Sequence, residues 1–289
     1  MAADLTPVLW FAPAAYLLGA GAALALRNGY WTGAHLGAAA VLGLAVTAAA
    51  AALGLTLGAL APLDPLTGLT LLLVSLLGWV ITRYSRTYLE GEPGQRRYVA
   101  ALMFTLAAVS AVVIARNLGV LVLAWFASSL GLHHLLTFYR DRPAARMAAH
   151  KKFLASRVAE LCMFAALGLI LAQTGSLSFT GIATHVASHD TLPRALELAA
   201  LLLALAAVLK SAQLPLHGWL IQVMEAPTPV SALLHAGIVN IGGFVMIRAA
   251  ELISAAPAAQ ALLVVVGALT AAAAGLVMMT RTSIKVRLA

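Results

Sequence analysis

Long apolar runs separated by short polar stretches constrain this chain more than any other feature of its sequence. Runs of about 18 or more residues recur nine times, at approximately 5–26, 33–60, 64–82, 98–115, 118–138, 153–173, 196–221, 228–250 and 259–280. Each is long enough to cross roughly 30 Å of hydrocarbon at about 1.5 Å per helical residue. Composition agrees: 62% of the 289 residues are hydrophobic and 10% are charged, where a soluble domain carries roughly a quarter charged residues. The expectation is an all-α, polytopic membrane protein of about nine transmembrane helices, forming a single transmembrane domain. The first run is preceded by Asp4 and followed by Arg27, the reverse of a secretory signal's charge order, so it is expected to stay in the protein. Cys162 is the single cysteine; it excludes an intrachain disulfide and reads as a small core residue.

Charge placement sets an orientation, because short cytoplasmic loops collect Lys and Arg. With nine spans, one side or its border receives Arg27, Arg83, Arg86, Arg96, Arg97, Arg140, Arg142, Arg146, Lys151, Lys152, Arg157, Arg281, Lys285 and Arg287, and the other receives Arg116, Arg194 and Arg248. The expectation is a multi-pass protein of the cell (inner) membrane, with its N-terminus outside and its C-terminus in the cytoplasm. The net charge of +8 then reads as a topology signal and an attraction to anionic lipid. Nucleic-acid binding would require one basic face with interleaved aromatics.

Two polar stretches carry histidines. His185 and His189 share a helical face but lack the adjoining glutamate and third ligand of a zinc site, so no metal is expected there. His133 and His134 point about 100° apart on a helix. With Ser128 and Ser129 on the same span they are candidates for a polar cavity, or else they mark the interface.

Ionisable residues within apolar spans are costly, and chains that keep them generally use them. The stretch from Lys210 to Arg248 holds Lys210, His217, Glu225 and His235 together with Pro215, Pro227 and Pro229. Pro215 denies a backbone donor to the carbonyl of Ser211, which predicts a broken helix in span 7. Broken helices at membrane depth are tolerated where they face protein or water. Lys210, five residues before that proline, would then sit beside a hydrated kink and exchange a proton; the alternative is a lysine snorkelling to the interface. His217, just after the break, is a further candidate for the cavity. Thr228-Pro229 reads as a helix start with a hydroxyl cap. Glu225 before it serves either as a cap or in an ion path. His235, nearly two turns into span 8 on the face of Ser231, is either a proton relay or a packed core histidine. Arg157 and Glu160, three residues apart at the start of span 6, form a candidate ion pair.

K-S-A-Q-L-P-L-H-G-W-L, M-E-A-P-T-P-V-S-A-L-L-H-A and K-K-F-L-A-S-R-V-A-E-L resemble the antiporter-like membrane subunits shared by respiratory complex I (its L-type subunit) and Mrp-type sodium/proton antiporters. That resemblance implies inverted five-helix repeats with a broken helix in each. It assigns Lys210 to the proton path, matches His235 to the histidine of the following helix, and matches Arg157 and Glu160 to an R-V-x-D motif. It also divides the chain into N-terminal helices (1–97), one repeat (98–250) and the start of a second part (251–289), with R-T-S-I-K-V-R-L-A matching the loop before the tenth helix and the second repeat expected outside these residues. Two departures stand out. Span 5 carries Ser128 and Ser129 where pumping subunits carry a glutamate, and W-L-I-Q-V-M replaces W-L-P-D-A-M.

These departures resemble the DabB-type branch, the membrane subunit of a two-component inorganic-carbon pump. The implied partner is a large zinc-containing, carbonic-anhydrase-like subunit (DabA-type) on the cytoplasmic face. The zinc lies in that partner and no cofactor in this chain, which would conduct protons or sodium ions and have no enzymatic chemistry of its own. The alternatives are a proton-translocating L-type or Mrp-type subunit, and a scaffold that only anchors the partner.

Overall fold

The computed structural model describes residues 6–55, 63–139, 141–223 and 226–280. The chain divides into two compact units. The first comprises the chain up to Ala115 together with Leu123–Phe138. It holds α1 (Thr6–Leu9), α2 (Phe11–Ala25), α3 (Tyr30–Ala52), α4 (Pro65–Tyr88), α5 (Gln95–Ile114) and most of α6 (Leu118–Leu136). Local chemistry sets the boundaries. Asp64 accepts from the Leu66 N–H at 3.1 Å and the Thr67 hydroxyl at 2.8 Å, with Pro65 in the first turn, so α4 starts there. Gly29 and Gly94 precede α3 and α5 in left-handed conformations, φ 76° and 86°, which only glycine adopts without strain. At the other end of α2, Arg96 donates to the carbonyls of Ala23 and Leu24, placing a cation at a helix C-terminus. The core of the unit is α5, buried almost continuously from Tyr98 to Ile114.

The second unit comprises Arg116–Val122 and the chain from Tyr139 onward. It contains α7 (Pro143–Thr174), α8 (Phe179–Ala187), α9 (Arg194–Lys210), α10 (Gly218–Gln222), α11 (Thr228–Leu233), a π-turn (Leu234–Ile238), α12 (Ile241–Arg248), α13 (Ala250–Ser254) and α14 (Pro257–Thr280). At 32 residues α7 is about 48 Å long, more than the hydrocarbon core requires. It begins at Pro143, ten residues before the expected span, so Arg157 and Glu160 lie about four turns inside the helix and not at its start. α9 packs along α7, and α12 and α14 pack on α9.

Seven helices among the described residues are long and apolar enough to cross a membrane: Pro7–Ala25, Tyr30–Ala52, Pro65–Tyr88, Gln95–Ile114, Leu118–Leu136, Pro143–Thr174 and Pro257–Thr280. Each of these seven helices corresponds to one of the nine apolar runs, though that of run 2 ends at Ala52 with residues 56–60 outside the described ones, and runs 7 and 8 are interrupted. In run 7 the interruption has a defined form. α9 stops at Lys210, Ala212 takes a left-handed conformation with φ 52°, and the N–H groups of Ser211 and Gln213 donate back to Ala207 at 2.9 Å and Val208 at 3.2 Å. This is a Schellman-type end with alanine where glycine is usual, a conformation that costs an L-residue about 1–2 kcal/mol. The Leu214 N–H then donates to the Thr270 hydroxyl of α14 at 3.0 Å, and Pro215, in a cis peptide, has no N–H to extend a helix. Pro215 was expected to break the helix through the Ser211 carbonyl; the helix ends one residue earlier, at Lys210.

Gly242 fixes α12 against this end. A Cβ there would lie 2.2 Å from Ser211 Oγ and 2.9 Å from the Ala207 carbonyl, so the two backbones approach as closely as small residues permit. Gly243, its neighbour, faces open space. Gly242→Val should cost about 1–3 kcal/mol through overpacking, read as a lowered thermal midpoint of the detergent-solubilised protein, while Gly243→Val should leave the midpoint near its starting value. Equal effects of the two substitutions would remove the close-approach account.

Candidate functional site

Ending α9 at Lys210 puts an ammonium in the last turn, where the helix's exposed carbonyls favour positive charge. That alone does not offset burial. The Lys210 side chain is 2% exposed, and its Nζ lies 3.5 Å from Glu160 Oε1. Glu160, 6% exposed, reaches it from α7 and gives its other oxygen, Oε2, to Arg157 at 2.7 Å. Arg157 also lies over the Phe153 ring at 4.6 Å, so the guanidinium is held between a carboxylate three residues on and an aromatic face four residues back. One carboxylate is thus shared by two cations from two helices. Removing one partner of such a buried group leaves charge uncompensated and typically costs about 3–5 kcal/mol.

A fourth ionic residue belongs to this cluster, and sequence reasoning assigned it elsewhere. Lys152 was grouped with the cytoplasmic loop charges, yet it is buried on α7, within electrostatic reach of Lys210, Glu160 and Arg157. Its neighbour Lys151 is exposed. The signal was available: Lys152, Ser156 and Glu160 recur at i, i+4 and i+8, one row of a helix. All three are buried.

The other candidates are distributed as follows. His235 falls in the π-turn, where the Val239 N–H reaches back five residues to Leu234 at 3.0 Å; such turns recur at functional sites. Its Nε2 is buried without a hydrogen-bond partner among the described residues, as is Ser231 Oγ. Its carbonyl accepts from Asn240 at 3.3 Å. Neither ion pair of the cluster includes it. Run 8 begins helically at Thr228 itself, preceded by Pro227 and with Pro229 in the first turn, so the expected Thr228 hydroxyl cap is replaced by a proline-led start. His217 lies in the segment between α9 and α10 with Nδ1 buried and without a hydrogen bond among the described residues. Glu225 lies outside the described residues.

Ser128, Ser129, His133 and His134 belong to the first unit. Both serines are buried, and the Ser128 hydroxyl donates to the Trp125 carbonyl at 2.7 Å, a local satisfaction that needs no cavity. His133 is half-buried and His134 exposed, their ring centroids 6.3 Å apart. The His185 and His189 ring centroids lie 4.7 Å apart with the rings tilted by 40°; no group of three or more His, Cys, Asp or Glu side chains suited to a metal occurs among the described residues.

Comparison with known proteins identifies the architecture. Residues 115–289 match the family described as NADH:quinone oxidoreductase/Mrp antiporter, transmembrane, and residues 52–99 match the N-terminal family of complex I chain 5. The probable inorganic carbon transporter subunit DabB2 of Halothiobacillus neapolitanus is 50% identical over 236 residues, covering 81% of this chain and 43% of that protein. The probable inorganic carbon transporter subunit DabB of Hydrogenovibrio crunogenus is 50% identical over 218 residues, covering 75% and 42%. NADH-quinone oxidoreductase subunit L of Mycobacterium tuberculosis is 36% identical over 209 residues, covering 72% and 33%. This chain therefore spans well under half the length of these relatives. Among solved structures, the Mrp complex from Dietzia superposes with a TM-score of 0.83 at 28% identity, over 97% of this chain and 32% of the matched one. An archaeal membrane-bound sulfane sulfur reductase shares the fold, with a TM-score of 0.85 at 15% identity over 99% of this chain and 62% of that one. By its matched domain, its apolar helices and its interrupted seventh and eighth spans, this chain is a multi-pass, antiporter-like membrane subunit and belongs to the NADH:quinone oxidoreductase/Mrp antiporter family.

Proposed function

We propose that this chain is the ion-conducting membrane subunit of an energy-coupled inorganic-carbon pump, in which protons or sodium ions cross near Lys210, Glu160 and His235. The observation that carries this reading is the buried Lys210–Glu160 pair at a helix end. Pumping members of the resembled family are expected to pair this lysine with a glutamate on span 5, where this chain has Ser128 and Ser129. Here the carboxylate beside Lys210 is Glu160 of α7, at the position of the acid in the family's R-V-x-D motif. In a low-dielectric site the charge states of the two groups are linked. A proton or cation arriving at Glu160 weakens its hold on Lys210 and Arg157, and restoring the carboxylate draws the ammonium back. Linked charges of this kind are what an ion-driven subunit requires.

The choice of inorganic carbon rests on the two DabB-named relatives at 50% identity, against 36% for the quinone-reductase subunit. On this reading the chain works within a complex in the inner membrane, with its N-terminus outside and its C-terminus in the cytoplasm. Its basic cytoplasmic loops bind a large zinc-containing, carbonic-anhydrase-like subunit, where CO2 is captured as bicarbonate, and the same charges attract anionic lipid.

Two measurements test this. Lys210→Ala in the full native complex should reduce energy-dependent carbon uptake per recovered complex by about tenfold or more; a chain that only anchors a partner would lose nothing per recovered complex. Gentle purification of the tagged chain from its native host should recover one large zinc-containing soluble subunit. Recovery of many quinone-reductase or antiporter subunits would place the same ionic cluster in a respiratory or antiporter complex.

A further inference from the structure

Three buried polar residues follow one row of α7, and a fourth, Lys210, ends α9 beside the last of them. Lys152, Ser156, Glu160 and Lys210 of α9 are all buried. The first three occupy successive i+4 positions, so Lys152 and Glu160 are about 12 Å apart along the axis with Ser156 between them. The row starts near the end of α7 that carries Arg142, Arg146 and the exposed Lys151 and runs toward the Lys210–Glu160 pair. Simple topology marking does not explain it. A lysine placed only to mark the cytoplasmic side gains by reaching water, as Lys151 does, whereas Lys152 is buried within electrostatic reach of another buried lysine, Lys210. Keeping a second buried ammonium within electrostatic reach of Lys210 and Arg157 is costly even where a carboxylate offsets it, which is the pattern of a functional group.

We infer that Lys152 is a proton relay, and that Lys152, Ser156 and Glu160 form the access route between the basic end of α7 and Lys210. This deepens the ion-conducting reading and rests on it. A serine hydroxyl both donates and accepts, so Ser156 can bridge the two ionisable groups together with water. The step is a transfer of protons alone: an ammonium at Lys152 releases its proton toward Ser156, and the Glu160 carboxylate receives one. No oxidant or other reactant takes part.

The experiment compares carbon uptake by the full native complex carrying Lys152→Arg, Ser156→Ala or Lys210→Ala, alongside complex yield and thermal midpoint. Arginine retains the positive charge and cannot release a proton in a protein. It therefore preserves any structural or orientating role and removes the relay. Lys152→Arg should assemble normally and lose about tenfold or more of its uptake; normal uptake with this variant overturns the inference. If the larger guanidinium prevents assembly, Ser156→Ala decides: a several-fold loss supports the route, and unchanged uptake overturns it. Lys210→Ala separates the two levels of the proposal. If it retains uptake, the ion-conducting reading itself falls; if it is inactive while Lys152→Arg is active, only the relay falls.

Discussion

The structure of the second unit depends on one carboxylate. Glu160 holds Arg157 on its own helix and Lys210 on the next, and each of these cations would be costly inside an apolar bundle without it. Because the carboxylate comes from α7 and the ammonium from α9, the pair also specifies how these helices pack. The end of α9 adds its own contribution, since exposed helix carbonyls complement the ammonium. Ending the helix there is in turn secured by Ala212 in a left-handed conformation, the Thr270 hydroxyl and the close seat of Gly242. The charged site and the helix break support each other, and neither is a local accident of proline.

A buried pair of this kind is a poor choice if stability is the only goal, since apolar residues of similar volume often do as well or better. Its retention in an antiporter-like subunit suits a site whose charge state must change. Two cations held on one carboxylate, with a third within electrostatic reach, make the charge of Glu160 and that of Lys210 matter to each other. The π-turn at His235, with Nε2 and Ser231 Oγ both lacking hydrogen bonds among the described residues, adds a second place where polar groups are kept inside the membrane without being locked.

The membrane architecture was legible because hydrocarbon imposes a length requirement that composition cannot disguise. Lys210 and Pro215 were legible together, since a charge and a helix breaker in one apolar run have few innocent explanations. Arg157 and Glu160 were recognised as a pair from i+3 spacing, yet their link to Lys210 joins residues fifty positions apart, and no local pattern reports that. Lys152 was missed because a run of basic residues reads as a loop. Only the helical phase, with Lys151 turned outward and Lys152 inward, separates them, and that phase is clear only once α7 is known to begin at Pro143. Ser128, a candidate for a polar cavity, is buried with its hydroxyl on the Trp125 carbonyl, a backbone bond that spacing in the sequence does not report.

The most direct test of the central claim is a double-mutant cycle for stability on Glu160→Gln and Lys210→Met in the purified complex. If the two side chains form one coupled ionic unit, each single change leaves the other's charge buried. The double variant should then be more stable than the sum of the singles predicts, by about 1–3 kcal/mol. Additivity to within about 0.3–0.5 kcal/mol would mean that Glu160 and Lys210 are energetically independent, and the coupling assigned to this site would be wrong.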